Sequence, residues 1–158
     1  MNNTLLPPTP QFRGCSIAPA SRLPAAARRD AINVKQFKLM VVDDEPTNVK
    51  LVRRLLELQG YERFITTTDS REALGLIESE QPDCVLLDLM MPHLSGVDVL
   101  RAVRSAPELE HIPVIILTAI ADRPTRCQVL AEGATDFLTK PIDPAELGPR
   151  VSNFLEVK

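Results

Sequence analysis

Short apolar runs alternate with helical patterns through most of this chain, and that alternation admits few folds. Runs at 39–42, 84–87, 114–117 and 137–139, with a weaker one at 64–67, read as strands. Apolar runs this short, bounded by turn residues, suit strands covered on both faces. Helical patterns fill the intervals, over about 47–59, 70–79, 97–105, 124–132 and 144–155. The first carries Leu51, Val52, Leu55, Leu56 and Leu58 as a wide apolar stripe and stops at Gly60. Ser70 is the expected N-cap of the second, and Val99, Leu100 and Val103 the inward face of the third. Pro124 suits the first turn of the fourth, with Gly133 as its stop. Strand–helix repetition of this kind predicts an α/β domain with a five-stranded parallel sheet, doubly wound.

Residues 1–36 differ from the rest. They hold five of the fourteen prolines, five Lys/Arg and one acid, Asp30, so they carry +4. With −3 overall, residues 37–158 carry −7. No periodic apolar face is present in 1–36, which reads as a disordered basic tail before a single domain at 37–158. The tail lacks the apolar core of a secretory signal, and its prolines break the amphipathic helix of a transit peptide. No apolar run reaches the 18–20 or so residues that span a bilayer. The acidic domain lacks the basic footprint of a nucleic-acid binder. Cys15, Cys84 and Cys127 are widely spaced with no CxxC pair, so neither a zinc site nor a disulfide framework is expected. Cys84 reads as a small core hydrophobe. These features fit a cytoplasmic protein.

The polar residues that end the strands carry the chemistry. Asp43 and Asp44 follow the first strand, Asp88 ends the third, Thr118 ends the fourth, and Lys140 follows the fifth. Open α/β sheets bind ligands at the carboxyl ends of their strands, in the crevice where strand order reverses. In the order 2-1-3-4-5 that crevice lies between strands 1 and 3, and the three aspartates converge there. Adjacent carboxylates repel one another; a hard cation with oxygen ligands, Mg²⁺, resolves the repulsion. Lysine and a hydroxyl across the crevice suit a phosphoryl group, and an aspartate within such a set is a candidate nucleophile. Taken singly, each residue has a plainer role: an aspartate after a strand caps a turn, a threonine closes a strand end, a lysine is a solvated charge. All five on one edge is the signal. His93 and His111 fall outside the strand ends and read as loop residues.

VVDDEPTN, LLDLMMPHLSG, VIILTA and GATDFLTKP resemble the motifs of the receiver domain of bacterial two-component response regulators. The resemblance covers residue 38 to about 156. Its intervals match as well: 44 residues from Asp44 to Asp88, 30 to Thr118 and 22 to Lys140. It implies a flavodoxin-like sheet and a phosphoacceptor switch rather than an enzyme. Asp88 would accept phosphate from a histidine kinase or a histidine phosphotransfer protein. Asp44, Asp88 and the backbone carbonyl of Met90 would ligate Mg²⁺ directly, and Asp43 through water. Lys140, Thr118 and the N–H of Ala119 would hold the phosphoryl group. Phe137 would stand at the aromatic switch position, where the family often has tyrosine; without the hydroxyl it couples by packing alone. A partner would read the face formed by the fourth helix, fifth strand and fifth helix, with phosphorylation-dependent homodimerisation as one form of that readout. A peptide in the cis form is expected between Lys140 and Pro141.

Two other readings compete. The chain matches the extent of a receiver alone, but VDDEPTN also resembles receivers joined to cyclic-di-GMP phosphodiesterase or diguanylate cyclase domains. Haloacid-dehalogenase-type phosphatases share the Asp, Mg²⁺, Thr and Lys set. Their nucleophile, however, ends the first strand in a DxD motif, whereas here the acidic pair comes first and no DxD follows strand 1.

Overall fold

The computed structural model describes residues 33–156. Within them, five strands alternate with five helices: β1 Lys38–Val42, α1 Pro46–Glu57, β2 Arg63–Thr67, α2 Ser70–Glu80, β3 Cys84–Asp88, α3 Gly96–Ser105, β4 Val114–Thr118, α4 Arg123–Ala131, β5 Asp136–Thr139 and α5 Pro144–Leu155. The strands form one parallel sheet in the order β2-β1-β3-β4-β5. The doubly wound architecture expected from the apolar runs is the one observed.

Side chains alternate across the central strands with period two, as a pleated sheet requires. Met40, Val42, Val85, Leu87, Val114 and Ile116 point to the face covered by α2, α3 and α4. Leu39, Val41, Cys84, Leu86, Ile115 and Leu117 point to the face covered by α1 and α5. Both faces are buried, which is why β1, β3 and β4 read as unbroken apolar runs rather than alternating ones. The edge strands β2 and β5 are only partly buried, and their sequences are correspondingly more polar. Cys84 is buried in the core as expected, and Cys127 is exposed on α4.

The helices differ from expectation in particular ways. On α1 the buried residues are Val49, Val52 and Leu56, while Leu51 and Leu58 are 46% and 68% exposed. Of the expected stripe, Val52, Leu55 and Leu56 pack on the core and Leu51 and Leu58 do not. On α2 the N-cap is Asp69, whose carboxylate accepts the Arg71 N–H; Ser70 is the first helical residue. α3 begins with a capping box, Ser95 and Asp98 each accepting the other's backbone N–H. On α4 only Val129 is buried. The C-terminal end of α4 is tied to α3 twice: Arg101 Nε donates to Glu132 at 2.8 Å, and Arg104 Nε to the Gly133 carbonyl at 2.7 Å. Gly133 takes φ +99° there, and a Cβ would lie 2.9 Å from Arg104 Cγ, so glycine serves both the left-handed stop and the close approach.

Residues 1–32, most of the expected tail, lie outside the described residues. Residues 34–36 were placed in that tail by sequence but form a 3-10 turn, Val34–Gln36. Val34 packs against the α1–α5 core, Lys35 Nζ meets Glu62 at 2.6 Å, and Arg63 donates to the Gln36 carbonyl at 3.0 Å. A solitary Val flanked by polar residues carries no periodic signal, so sequence reading could not separate it from the tail.

Candidate functional site

β1 and β3 are neighbours, and β2 and β4 lie outside them, so the chain diverges at the carboxyl ends of β1 and β3. The crevice opens there. Asp43 leaves β1 into its floor and is fully buried. One of its carboxylate oxygens accepts the Glu45 N–H at 2.9 Å and the Asn48 side-chain amide at 3.4 Å. The other meets Lys140 Nζ at 2.6 Å. Asp88, the last residue of β3, is 5% exposed, and its Oδ1 lies 3.0 Å from the same ammonium. Asp44 is half-buried on the rim. Carboxylate oxygens of all three aspartates lie within 4.8 Å of one another.

Backbone bonds place these groups. Leu89 N–H donates to Leu117 O at 2.9 Å, and Lys140 N–H to Thr118 O at 2.7 Å, so the ends of β3, β4 and β5 are locked in register. The Lys140–Pro141 peptide is cis, as expected. Behind Asp88 stands Gly96: a Cβ there would lie 2.4 Å from the Asp88 carbonyl oxygen. Glycine lets the start of α3 press against the backbone of Asp88, and Gly96 N–H donates to Leu89 O at 2.8 Å.

The electrostatics follow from this crowding. Burial, then the charge of Asp43, push the Asp88 carboxyl up to about 6, and the hydrogen bond from Lys140 only partly opposes them. Burial disfavours the charged form of Lys140, but its hydrogen bonds to Asp43 and Asp88 outweigh it and hold the ammonium above its ordinary value. Three carboxylates face one ammonium. An all-oxygen donor set with two negative charges in excess fits a hard divalent cation. Both oxygens of Asp43 are already engaged by the protein, which leaves Asp44 and Asp88 as the groups better placed to ligate directly.

The remaining expected residues lie around this centre. Thr118 is buried, and its hydroxyl is turned to its own loop: it accepts the Ile120 N–H at 3.0 Å and donates to the Ile120 carbonyl at 3.3 Å. Ala119 is exposed beside it. Met90, 64% exposed, and Ile120, 38% exposed, form apolar rims on the loops after β3 and β4. Phe137 is half-buried on β5 against the α2–α3–α4 side of the core. The guanidinium of Arg126 sits over its ring, 4.9 Å from the centroid. Both line a cavity of about 340 Å³ between α4, β5 and α5, together with Thr139, Lys140, Glu146 and Arg150. His93 and His111 are exposed loop residues, as expected. Sequence reading assigned no role to Asn48, Gly96 or Arg126. Asn48 and Gly96 fall inside quoted motifs, so a signal was present; Arg126 sits on an exposed helix face with none.

The sequence pattern of the response regulator receiver domain family matches residues 39–152. Over 121 residues the chain is 41% identical to the response regulator PleD of Caulobacter vibrioides, covering 77% of this chain and 26% of that protein. It is 35% identical over 117 residues to the polar-differentiation response regulator DivK of Brucella anthropi, covering 74% of this chain and 94% of DivK. The receiver domain of Francisella response regulator 1452 superposes with a TM-score of 0.71 at 31% identity, over 77% of this chain and 98% of that one.

Proposed function

The chain belongs to the response regulator receiver domain family, and from that membership we propose that Asp88 is its phosphoacceptor, the input of a two-component switch. The rival phosphatase reading falls with the family. The observation that carries the proposal is the placement of a nearly buried Asp88 beside Asp43, Asp44 and Lys140 at the switch point of the sheet.

The chemistry is phosphoryl transfer from a nitrogen donor to an oxygen acceptor. The Asp88 carboxylate attacks the phosphorus of a phosphohistidine on a histidine kinase or phosphotransfer protein. An O–P bond forms, the P–N bond breaks, and the imidazole leaves. Lys140 orients the carboxylate beforehand and then pairs with a phosphoryl oxygen. Asp44, Asp88 and the Met90 carbonyl would hold Mg²⁺ directly, and Asp43 through water. When bound, the cation offsets charge on the phosphoryl oxygens. Burial works against the Asp88 carboxylate, and the protein's own counterweight is the Lys140 ammonium, 3.0 Å from its Oδ1.

The response follows from new acceptor oxygens on Asp88. Thr118 gives up its bonds to Ile120 and turns its hydroxyl toward the phosphoryl group, where the Ala119 N–H also donates. The space it vacates admits Phe137. Arg126 rides on that ring, so the shift reaches α4 and the cavity between α4, β5 and α5. Phosphate biases this equilibrium only by its better contacts in one of the two states. Phosphorylation-dependent pairing of two copies through that face is one output; a cytoplasmic protein partner is another. None of the described helices is long and apolar enough to cross a membrane. The 26% share of PleD that the chain spans favours a second reading, in which this receiver governs further domains of a longer regulator.

The test is incubation with acetyl phosphate and Mg²⁺, followed by intact-mass measurement. Wild type gains one phosphate and Asp88→Ala gains none. Equal uptake by the variant would refute the assignment.

A further inference from the structure

Between Asp88 and α3 the chain reverses at Pro92–His93–Leu94. His93 has φ +71°, and the Leu94 N–H donates to the Pro92 carbonyl at 3.0 Å. A bond from residue i+2 back to i, around a positive φ, is the rarer and more strained form of γ-turn. A non-glycine residue in that conformation persists only where its surroundings hold it.

What holds it is a hydroxyl from another element. Ser70 of α2 is 2% exposed. Its Oγ donates to the Pro92 carbonyl at 2.6 Å and accepts the Leu94 N–H at 3.1 Å, spanning both ends of the turn. The hydroxyl is not needed by its own helix, because Asp69 already caps α2. The flanks of the loop are pinned separately: Leu89 N–H to Leu117 O, Gly96 N–H to Leu89 O, and the Ser95–Asp98 box at the start of α3. Met91 packs its side chain on the core. Between these anchors, Ser70 is the tie that fixes the backbone on the far side of Met90.

We propose that Ser70 is a positioning residue of the acidic site: by bridging Pro92 and Leu94 across the strained His93 turn, its hydroxyl fixes the β3–α3 loop so that the Met90 carbonyl is presented to a metal held by Asp44 and Asp88. The inference rests on the Mg²⁺ reading above. A loop freed of the bridge relaxes toward negative φ at His93, and the path of the backbone from Leu89 to Leu94 changes with it. The carboxylates, on strand ends, stay where they are. Loss of the bridge therefore weakens the metal without dismantling the sheet.

The test is calorimetric titration of Mg²⁺ alone into wild type, Ser70→Ala, Ser70→Cys and Ser70→Thr. Cysteine fills the space of serine with a weak S–H donor, which separates the lost bridge from a packing void and serves if alanine does not fold. Residues that orient a metal ligand from behind change affinity by about 10–100-fold when removed; acting on one carbonyl, Ser70→Ala and Ser70→Cys should weaken Mg²⁺ by about tenfold, and Ser70→Thr, which keeps the hydroxyl, by no more than about twofold. The Leu94 amide should exchange faster in the alanine variant with no metal present. Wild-type affinity in both Ala and Cys variants overturns the role of Ser70 alone. Failure of the wild type to bind Mg²⁺ overturns the reading of the site, and this inference with it.

Discussion

Replacing Asp88 by asparagine should stabilise the metal-free protein. The carboxyl of Asp88 ordinarily titrates at 3.8 and is held at about 6 in the fold, chiefly by burial and secondly by the charge of Asp43. The sign follows directly. Below pH 3.8 the group is protonated in both folded and unfolded chains and contributes nothing. Between 3.8 and about 6 the folded state keeps its proton while the unfolded state loses it, so stability falls as pH rises. Above about 6 the full penalty is present. Each pH unit in that window is worth about 1.4 kcal/mol, which gives an upper bound of about 3 kcal/mol. Water reaching the crevice and relaxation of the loops reduce it, so about 1–3 kcal/mol is expected. Asparagine is neutral throughout, and Lys140 keeps Asp43 at 2.6 Å as its partner. Urea unfolding in EDTA should therefore show Asp88→Asn more stable than wild type by that amount at pH 7.5, with little difference near pH 4. Slopes against urea should match, since the same surface is exposed. Mg²⁺ should narrow the gap at pH 7.5 by stabilising the wild type alone. A variant less stable than wild type in EDTA at pH 7.5, or a difference that does not change with pH, would refute the argument.

Three other outcomes are expected. Asp44→Ala should weaken Mg²⁺ binding more than Asp43→Ala, because both oxygens of Asp43 are engaged by Glu45, Asn48 and Lys140; calorimetric titration of both variants decides, and equal affinities would remove the distinction. Met90 and Ile120 present apolar side chains that cannot position an attacking water by hydrogen bonding, so Met90→Asn or Ile120→Glu should shorten the lifetime of phosphorylated Asp88; unchanged decay in both would leave them a packing role only. Gly96→Ala places a methyl against the Asp88 carbonyl and should cost about 1–3 kcal/mol by overpacking, read in urea, while slowing phosphorylation by acetyl phosphate.

The sheet was legible because β1, β3 and β4 are buried on both faces and so leave unbroken apolar runs. The grouping of Asp43, Asp44, Asp88 and Lys140 was legible because parallel strands all end on one edge. Other features had no such signal. Asp69 and Ser70 are both good N-caps, and only the packing of α2 against the β3–α3 loop selects Asp69. Leu51 and Leu58 are apolar residues of the α1 segment, but they fall outside the face that packs on the sheet and stay exposed. The direction of the Thr118 hydroxyl is a rotamer, set by the Ile120 backbone and invisible in composition. The Phe137–Arg126 stack joins two elements that sequence reading had no means to orient.

α4 is fastened like a door. Its hinge edge, Glu132 and Gly133, is bolted to α3 by two arginines, while its leading end at Asp122–Arg123 hangs from the loop that holds Thr118. One valine is the latch, and burying a valine side chain is worth only about 1.5–3 kcal/mol. That is a small load beside the sheet, where whole strands are sealed on both sides. A charged group on Asp88 would therefore act, through the Thr118 loop, on a helix seated by one buried valine, and not on the doubly covered sheet. Amide exchange along α4 would register that compliance as protection rising from the leading end toward the bolted one.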